Sequence, residues 1–492
     1  MAGFNKVKKN IGMTTSHEGG VVFEKSPVDE WINFLFSSFM EDTFYETAEN
    51  QQKRFLELTD QIANAYGYEF VAKCAVFARN ELGMRSVSQL IAGWLNDKSF
   101  ENKRAFYRAF CHRPDDVAEM FAAVDFLGAK RSHAMVRGCG DYLSNLDAYT
   151  LGKYKLNSRE YNMFDLINIT HATSGAINDY KVGMLDTPDT WETKISTAKS
   201  VEERNAEWIR LVEQNRLGYM ALIRNLNNIL ACGVSNAWIS QYLIPQLTNR
   251  TAIRKSLVFP YRIYTAYKNL NVNNFKINDA LSEAFTIAIG NVPMFTGNTA
   301  ILLDVSGSMQ DPISANSKVS IKEIGACFAV GLFLANPNTT IIKFGSYAKE
   351  LKLDALDNDF TLIDRLCAND GCGYGTEVVP AFRRLSACHK DFDRIFLISD
   401  MQIMDNYFYY GSRYYSDYGN RYSNPAVNVY RELFGNIPCY SFDLGNYHSQ
   451  VLNSNCDNIH YVTALNDQVL KFIGLLENGT DLVSYINSFN YC

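Results

Sequence analysis

The sequence predicts a two-part chain: an all-α module built as a solenoid of short helices, followed by an α/β domain with an open parallel sheet. Three observations predict it. At 492 residues the chain exceeds what one compact core organises. From about Ser26 to Gly290 the apolar residues recur at three- and four-residue steps, with turn residues at intervals suited to helix pairs. After Pro293 short apolar strands alternate with amphipathic helices.

In the first part, Glu49 to Gly67 shows the logic: Phe55, Leu58, Ile62 and Tyr66 share one helical face, and Gly67 stands where a C-cap belongs. Further helices are expected over Tyr68 to Leu82, Ser86 to Leu95, Asp116 to Leu127, Val201 to Leu217 and Tyr219 to Ala231. No repeat is regular enough to prove a solenoid. In the second part the order is a strand at Ala300 to Leu303, a helix at Val319 to Ala335, a strand at Thr340 to Phe344, a helix at Glu377 to Cys388 and a strand at Ile395 to Ser399. Later elements at Ile437 to Phe442 and Asp467 to Leu476 complete it, and a Tyr/Gly/Asn-rich segment, 405–424, reads as an inserted surface loop.

Asp304-Val305-Ser306-Gly307-Ser308 directly follows the apolar run Thr299 to Leu303, so a strand stops and turns while offering one carboxylate and two hydroxyls. Mg²⁺ takes compact, near-octahedral oxygen coordination, and such a turn is half a site for it. The other half is read at Thr376, delivered by the loop Gly371-Cys372-Gly373-Tyr374-Gly375, and at Asp400, behind Arg394 to Ser399. Ligands of open parallel sheets bind at strand carboxyl ends near a switch in strand order. The competing reading is a serine-rich turn that only caps the next helix.

Bulk properties exclude several classes. The longest apolar run, Ile324 to Ala335, is too short to span a bilayer, and Lys6, Lys8 and Lys9 precede no apolar signal core. Eleven cysteines without a C-x-x-C pair read as reduced thiols in a cytoplasmic protein. The net charge of −6 resides in residues 301–492, which hold 14 basic against 21 acidic residues; residues 151–300 hold 16 against 12, and a polyanion is expected there. No nucleophile elbow, Walker A loop, dinucleotide fingerprint or paired zinc ligands support an enzyme.

The Asp304, Ser306, Ser308, Thr376 and Asp400 pattern resembles the metal-ion-dependent adhesion site of von Willebrand factor A domains. Five segments in order resemble the Ro autoantigen family, RNA-binding proteins with a TROVE module before such a domain. They are His17-Glu18-Gly19-Gly20 with Phe23; Lys153-Tyr154-Lys155 with Asp165-Leu166-Ile167 and His171; Tyr219 to Leu226; Phe259 to Ile263; and Asn291 to Met309. Asn157 or Ser158, Tyr161 and Asn168 depart from the family's central signature, and Arg159 offers a shifted positive charge.

The resemblance implies a HEAT-like solenoid closed into a ring over residues 1–295, then a doubly wound von Willebrand A domain over 296–492. It implies binding of structured small noncoding RNA of the Y type on a basic helical surface, with single-stranded ends of misfolded RNA in the ring cavity, in RNA quality control. The RNA-binding candidates are Lys153, Tyr154, Lys155, Arg159 and His171, joined by Arg104, Arg108 and His112, which fall at four-residue steps on one helix face. Taken singly, each basic residue also reads as a solvated helix face, and His171 as a hydrogen-bonded core histidine. The implied cofactor is Mg²⁺ or another divalent cation; an acidic protein ligand or a nuclease is expected at the metal site, no membrane partner, and a monomer. The second functional reading is a metal-dependent interaction scaffold with no RNA role.

Overall fold

The structure is a computed structural model that describes residues 13–15, 20–24, 27–37, 48–154, 156, 159–185, 188, 190–312, 317–336, 338–353, 359–404, 425–435, 437–445, 449–452, 458–462, 473, 477 and 482–491. The Tyr-rich segment 405–424, most of the expected element Asp467 to Leu476 and His17 to Gly19 lie outside the described residues. The chain forms two compact units, Glu30–Trp208 with Thr480–Cys492, and Met1–Asp29 with Ile209–Gly479. Among the described residues no helix is long and apolar enough to cross a membrane.

The Glu30–Trp208 unit is helical, and its successive helices pack against the next but one. Tyr68–Asn80 meets Lys103–Phe110, Ser86–Trp94 meets Pro114–Phe126, Lys103–Phe110 meets His133–Ser144, and His133–Ser144 meets Met163–Thr170. Stacking of this kind is what a solenoid does, since each helix pair buries its apolar face only against its neighbours. Two glycines set how closely the layers approach. A Cβ on Gly138 would lie 2.4 Å from the Arg104 carbonyl oxygen, and one on Gly140 would lie 2.8 Å from that of Thr170. Gly138→Ala is therefore expected to push Lys103–Phe110 off His133–Ser144 and cost about 1–3 kcal/mol, read as a lowered midpoint in urea unfolding; an unchanged midpoint would show that the layers can separate without strain.

The centre of this unit is polar. Asp116, fully buried, accepts Arg79 Nε and Nη2 at 2.8 Å each, Gln89 Nε2 at 2.8 Å, and the backbone N–H groups of His112 at 3.0 Å and Arg113 at 2.8 Å. The chain's last helix, Leu482–Ser488, also belongs here. Phe77 meets Tyr485 and Phe489 edge-on at 5.8 and 6.0 Å, Lys73 Nζ donates to the Asn487 carbonyl at 2.6 Å, and Tyr491 OH donates to Glu69 at 2.7 Å.

In the other unit a six-stranded sheet has the order β5-β4-β3-β6-β7-β9, where β3 is Thr299–Asp304, β4 Thr339–Phe344, β5 Ala348–Leu351, β6 Arg394–Ser399, β7 Cys439–Asp443 and β9 Ile459–Val462. All neighbours are parallel except β4 and β5. Alternate residues face opposite layers. Ala300, Leu302, Ile395 and Leu397 pack with helices Val378–Ser386 and Pro425–Phe434, while Leu303 and Ile398 meet Gly325 of helix Ile321–Ala335. Burial on both faces explains why these strands read as continuous apolar runs. Ser320 caps helix Ile321–Ala335 in a box with Glu323. A second sheet, β1 (Met13–Thr15), β2 (Val21–Glu24) and β8 (Ser449–Gln450), joins the N-terminal segment to this unit.

The change from helices to sheet falls where the sequence places it, but the compact units do not divide at 295/296. Helices Pro260–Lys268 and Phe275–Ile289 pack on the α/β layers: Tyr264 OH donates to Glu323 at 3.0 Å, Lys268 pairs with Glu323 at 2.8 Å, and Tyr267 stacks on Phe360 at 4.5 Å. Apolar and aromatic faces on the last helices find their burial against the sheet's own helices, so the covalent order and the packing order differ.

Candidate functional site

Strand β3 is followed in sequence by β4 on one side, while β6 lies on its other side, so the strand order switches between β3 and β6. Asp304 ends β3 and Asp400 follows β6, which puts both carboxylates at that switch. Asp304 and Ser306 are fully buried, Thr376 is 2 % and Asp400 1 % exposed. Asp304 Oδ1 accepts the Ser306 N–H at 2.8 Å, the Ser306 and Ser308 hydroxyls stand 3.3 Å apart, and the Ser308 hydroxyl donates to Asp400. Thr376 enters through its loop: Gly307 N–H donates to the Tyr374 carbonyl at 2.9 Å, and Met404 N–H donates to the Thr376 carbonyl at 2.8 Å.

Two groups that sequence reading did not single out complete the surroundings. Ser399 Oγ donates to Asp304 Oδ2 at 2.6 Å, and Asp443, buried at the end of β7, faces Ser399 in register. The signal for Asp443 was present: Cys439-Tyr440-Ser441-Phe442-Asp443 is another strand ending in an oxygen ligand type.

Burial pushes the Asp304 carboxyl up to about 6, against the hydrogen bonds from Ser399 and Ser306. Burial and then the Asp304 charge push Asp400 up to about 7, against the Ser308 hydroxyl and Gln402 N–H. Among the described residues neither carboxylate has an ion-pair partner. Two desolvated, mutually repelling carboxylates with three hydroxyl oxygens beside them are a donor set that suits a hard divalent cation, whose charge would offset both costs. Among the described residues no group of three or more His, Cys, Asp or Glu forms an alternative metal cluster. Nine cysteines of the described residues are free thiols.

The predicted basic candidates lie in the helical unit. Arg104 and Arg108 are exposed on helix Lys103–Phe110, and exposed His112 follows its end. Arg104 and Arg108 border a groove of about 540 Å³ with Asn102, Asp141, Ser144 and Asn145. The next residue, Arg113, holds its guanidinium 5.2 Å from the Tyr154 ring, and the Lys153 ammonium is 5.8 Å from the same ring. The line Arg104–Arg108–His112 thus ends at the Lys153–Tyr154 pair. His171 is exposed and left-handed (φ 55°) at the C-cap of Met163–Thr170; among the described residues no hydrogen bond, ion pair or ring contact joins it to Lys153 or Tyr154. Its alternative role as a core histidine is overturned by that exposure. Lys155, Asn157 and Ser158 lie outside the described residues.

Several of these cations are already paired. Arg104 forms a fork with Asp141 at 2.7 Å, Lys153 pairs with Glu192 at 3.3 Å, and Arg159 with Glu119 at 2.8 Å. Tyr161 packs edge-on against Phe121 at 5.9 Å with the Arg131 guanidinium over both rings. That position is structural in this chain.

The TROVE domain family model matches residues 173–297. Telomerase protein component 1 of Rattus norvegicus is 31% identical over 87 residues, and that of Mus musculus 29% over 84 residues; these stretches are 18% and 17% of the chain and 3% of each relative. The crystal structure of the Deinococcus radiodurans RO (RSR) protein superposes with a TM-score of 0.64 over 91% of this chain and 99% of that one, at 16% identity, which shows a common fold. Residues 173–297 are thus similar to the TROVE domain family, and the chain as a whole shares the fold of that RO protein.

Proposed function

We propose that the chain is an RNA-binding protein of the Ro kind, acting by binding rather than by catalysis. The observation that carries this is Tyr154, whose ring is flanked by Lys153 and Arg113 at the end of the exposed Arg104–Arg108–His112 line. Single-stranded and looped RNA is held by bases on aromatic faces and phosphates on nearby cations, and this arrangement offers both within one helical unit. The carboxylates already on Arg104, Lys153 and Arg159 must yield to phosphate, so affinity should fall steeply with salt. The TROVE match and the Ro fold support the same reading. Its finer form is structured small noncoding RNA of the Y type, with single-stranded ends of misfolded RNA as a second ligand class, in a cytoplasmic RNA quality-control role.

A gel shift with structured RNA tests it. Lys153→Ala combined with His171→Ala should abolish the shift, and Asp304→Ala should leave it intact; RNA binding that is undetectable in the unaltered protein at moderate salt would remove the reading.

A second reading has its own support in the buried Asp304, Ser306, Thr376 and Asp400 with half-buried Ser308 beside them. In it, Mg²⁺ held by these five residues supplies an open coordination position for a carboxylate of a protein partner. Capture of a partner that is lost on Asp304→Ala or in EDTA would favour it, and both readings can hold together.

A further inference from the structure

We infer that the N-terminal strand β2 is a working part of the proposed metal site, the element that holds Asp400 and the Thr376 loop in ligating position. The inference rests on the metal reading above and adds a positioning role for Gly20, some four hundred residues away in sequence.

The turn Asp400–Met404 carries the argument. At one end, Gln402 N–H donates to Asp400 Oδ1 at 3.1 Å. At the other, Met404 N–H donates to the Thr376 carbonyl at 2.8 Å. Between them Met401, a buried residue with a Cβ, is held at φ 63°. A non-glycine residue in the left-handed region costs roughly 1–3 kcal/mol and persists only where its surroundings over-determine it. Ser399 Oγ accepts the Met401 N–H at 3.0 Å, Ser441 Oγ donates to the Met401 sulfur at 3.7 Å, and a further constraint comes from the N-terminal segment.

There, Gly20 N–H donates to the Ile403 carbonyl at 3.2 Å. A Cβ on Gly20 would lie 2.3 Å from that oxygen and 2.9 Å from its carbon, so only glycine allows the approach. Val22, two residues on, is fully buried in the same apolar cluster as Met401, Ile403, Val451 and Leu452. Pairing of β2 with both β1 and β8 fixes its register. The strand therefore presses on the middle of a strained turn whose two ends hold a carboxylate and a threonine of the donor set. Outer partners that orient metal ligands typically change affinity 10- to 100-fold when lost. By linkage, a cation that stabilises this turn must also tighten the strand that braces it.

The test uses the full chain and Mg²⁺ alone as probe. Calorimetric titration of the unaltered protein, Gly20→Val and Asp304→Ala is expected to show Asp304-dependent binding that Gly20→Val weakens about tenfold or more. In the unaltered protein, Mg²⁺ is expected to slow amide hydrogen exchange in residues 20–24 as well as in 400–404. That second readout does not depend on whether Gly20→Val folds, and a merely structural strand would not respond to the ion. Wild-type affinity in a folded Gly20→Val, or Mg²⁺ binding that leaves exchange in 20–24 unchanged, overturns this inference alone. Absence of any Asp304-dependent Mg²⁺ binding removes the metal reading and the inference with it.

Discussion

Arg79→Ala is expected to lower the unfolding free energy of the helical unit by about 3–5 kcal/mol, because it leaves the Asp116 carboxylate buried with its counter-charge gone. Arg79 is 4 % and Asp116 0 % exposed, and the fork between them is bidentate at 2.8 Å. Asp116 also fixes the backbone of His112 and Arg113, so the substitution is expected to weaken RNA binding as well, through the misplaced Arg113 beside Tyr154. Urea unfolding of the variant gives the first number and a gel shift the second. A loss under about 1 kcal/mol would mean that water reaches the carboxylate. Replacing both partners by apolar residues of similar volume should cost less than either single change, since no uncompensated charge then remains inside.

Lys343→Ala carries the second large effect, about 3 kcal/mol in the α/β unit, the scale of a lost charged hydrogen-bonding group in a core. Lys343 lies in the interior strand β4, beside the edge strand β5, with a fully buried side chain. Its ammonium donates to the Arg365 carbonyl at 3.0 Å, the Ala368 carbonyl at 2.6 Å and Asp370 Oδ2 at 2.5 Å. Those carbonyls belong to the last turn and exit of helix Asp359–Cys367, where the helix dipole favours a cation. The same lysine anchors the chain leading into Gly371–Thr376, so a weakened Mg²⁺ affinity is expected beside the lost stability. Thermal unfolding with and without Mg²⁺ checks both; a variant whose midpoint matches the unaltered protein would show that the helix end finds water instead. Lys343→Met, which keeps the apolar stem, should recover part of the stability and little of the loop order.

Much of the α/β site was legible because local chemistry and local geometry coincide there. Asp304, Ser306 and Ser308 sit within five residues behind a strand buried on both faces, and such a strand announces itself as an apolar run. Asp400 follows, and Thr376 precedes, an element that periodicity finds. The helical face was legible for the same reason: Arg104, Arg108 and His112 follow the helical step and are exposed together. The carboxylate partners of Arg104, Lys153 and Arg159 were not, since Asp141, Glu192 and Glu119 lie between 37 and 40 positions away and only packing selects them among many acids. β5, with the polar sequence Ala348-Lys349-Glu350-Leu351 at a sheet edge, gave no period-two signal.

The sequence by itself determined where the helical part gives way to strands, the four interior strands β3, β4, β6 and β7 and the side chains at the ends of β3 and β6, because those follow from periods of two and 3.6 and from the chemistry of turn residues. Tertiary structure alone decided that the last helix packs on the first helices through Phe77, that Arg79 answers Asp116, that Lys343 seals a helix end, and that Gly20 meets Ile403. Each of those contacts joins residues far apart in the chain. They exist because a buried charge, an orphaned carbonyl or an apolar ring must find a partner in space, and sequence separation places no constraint on where that partner lies.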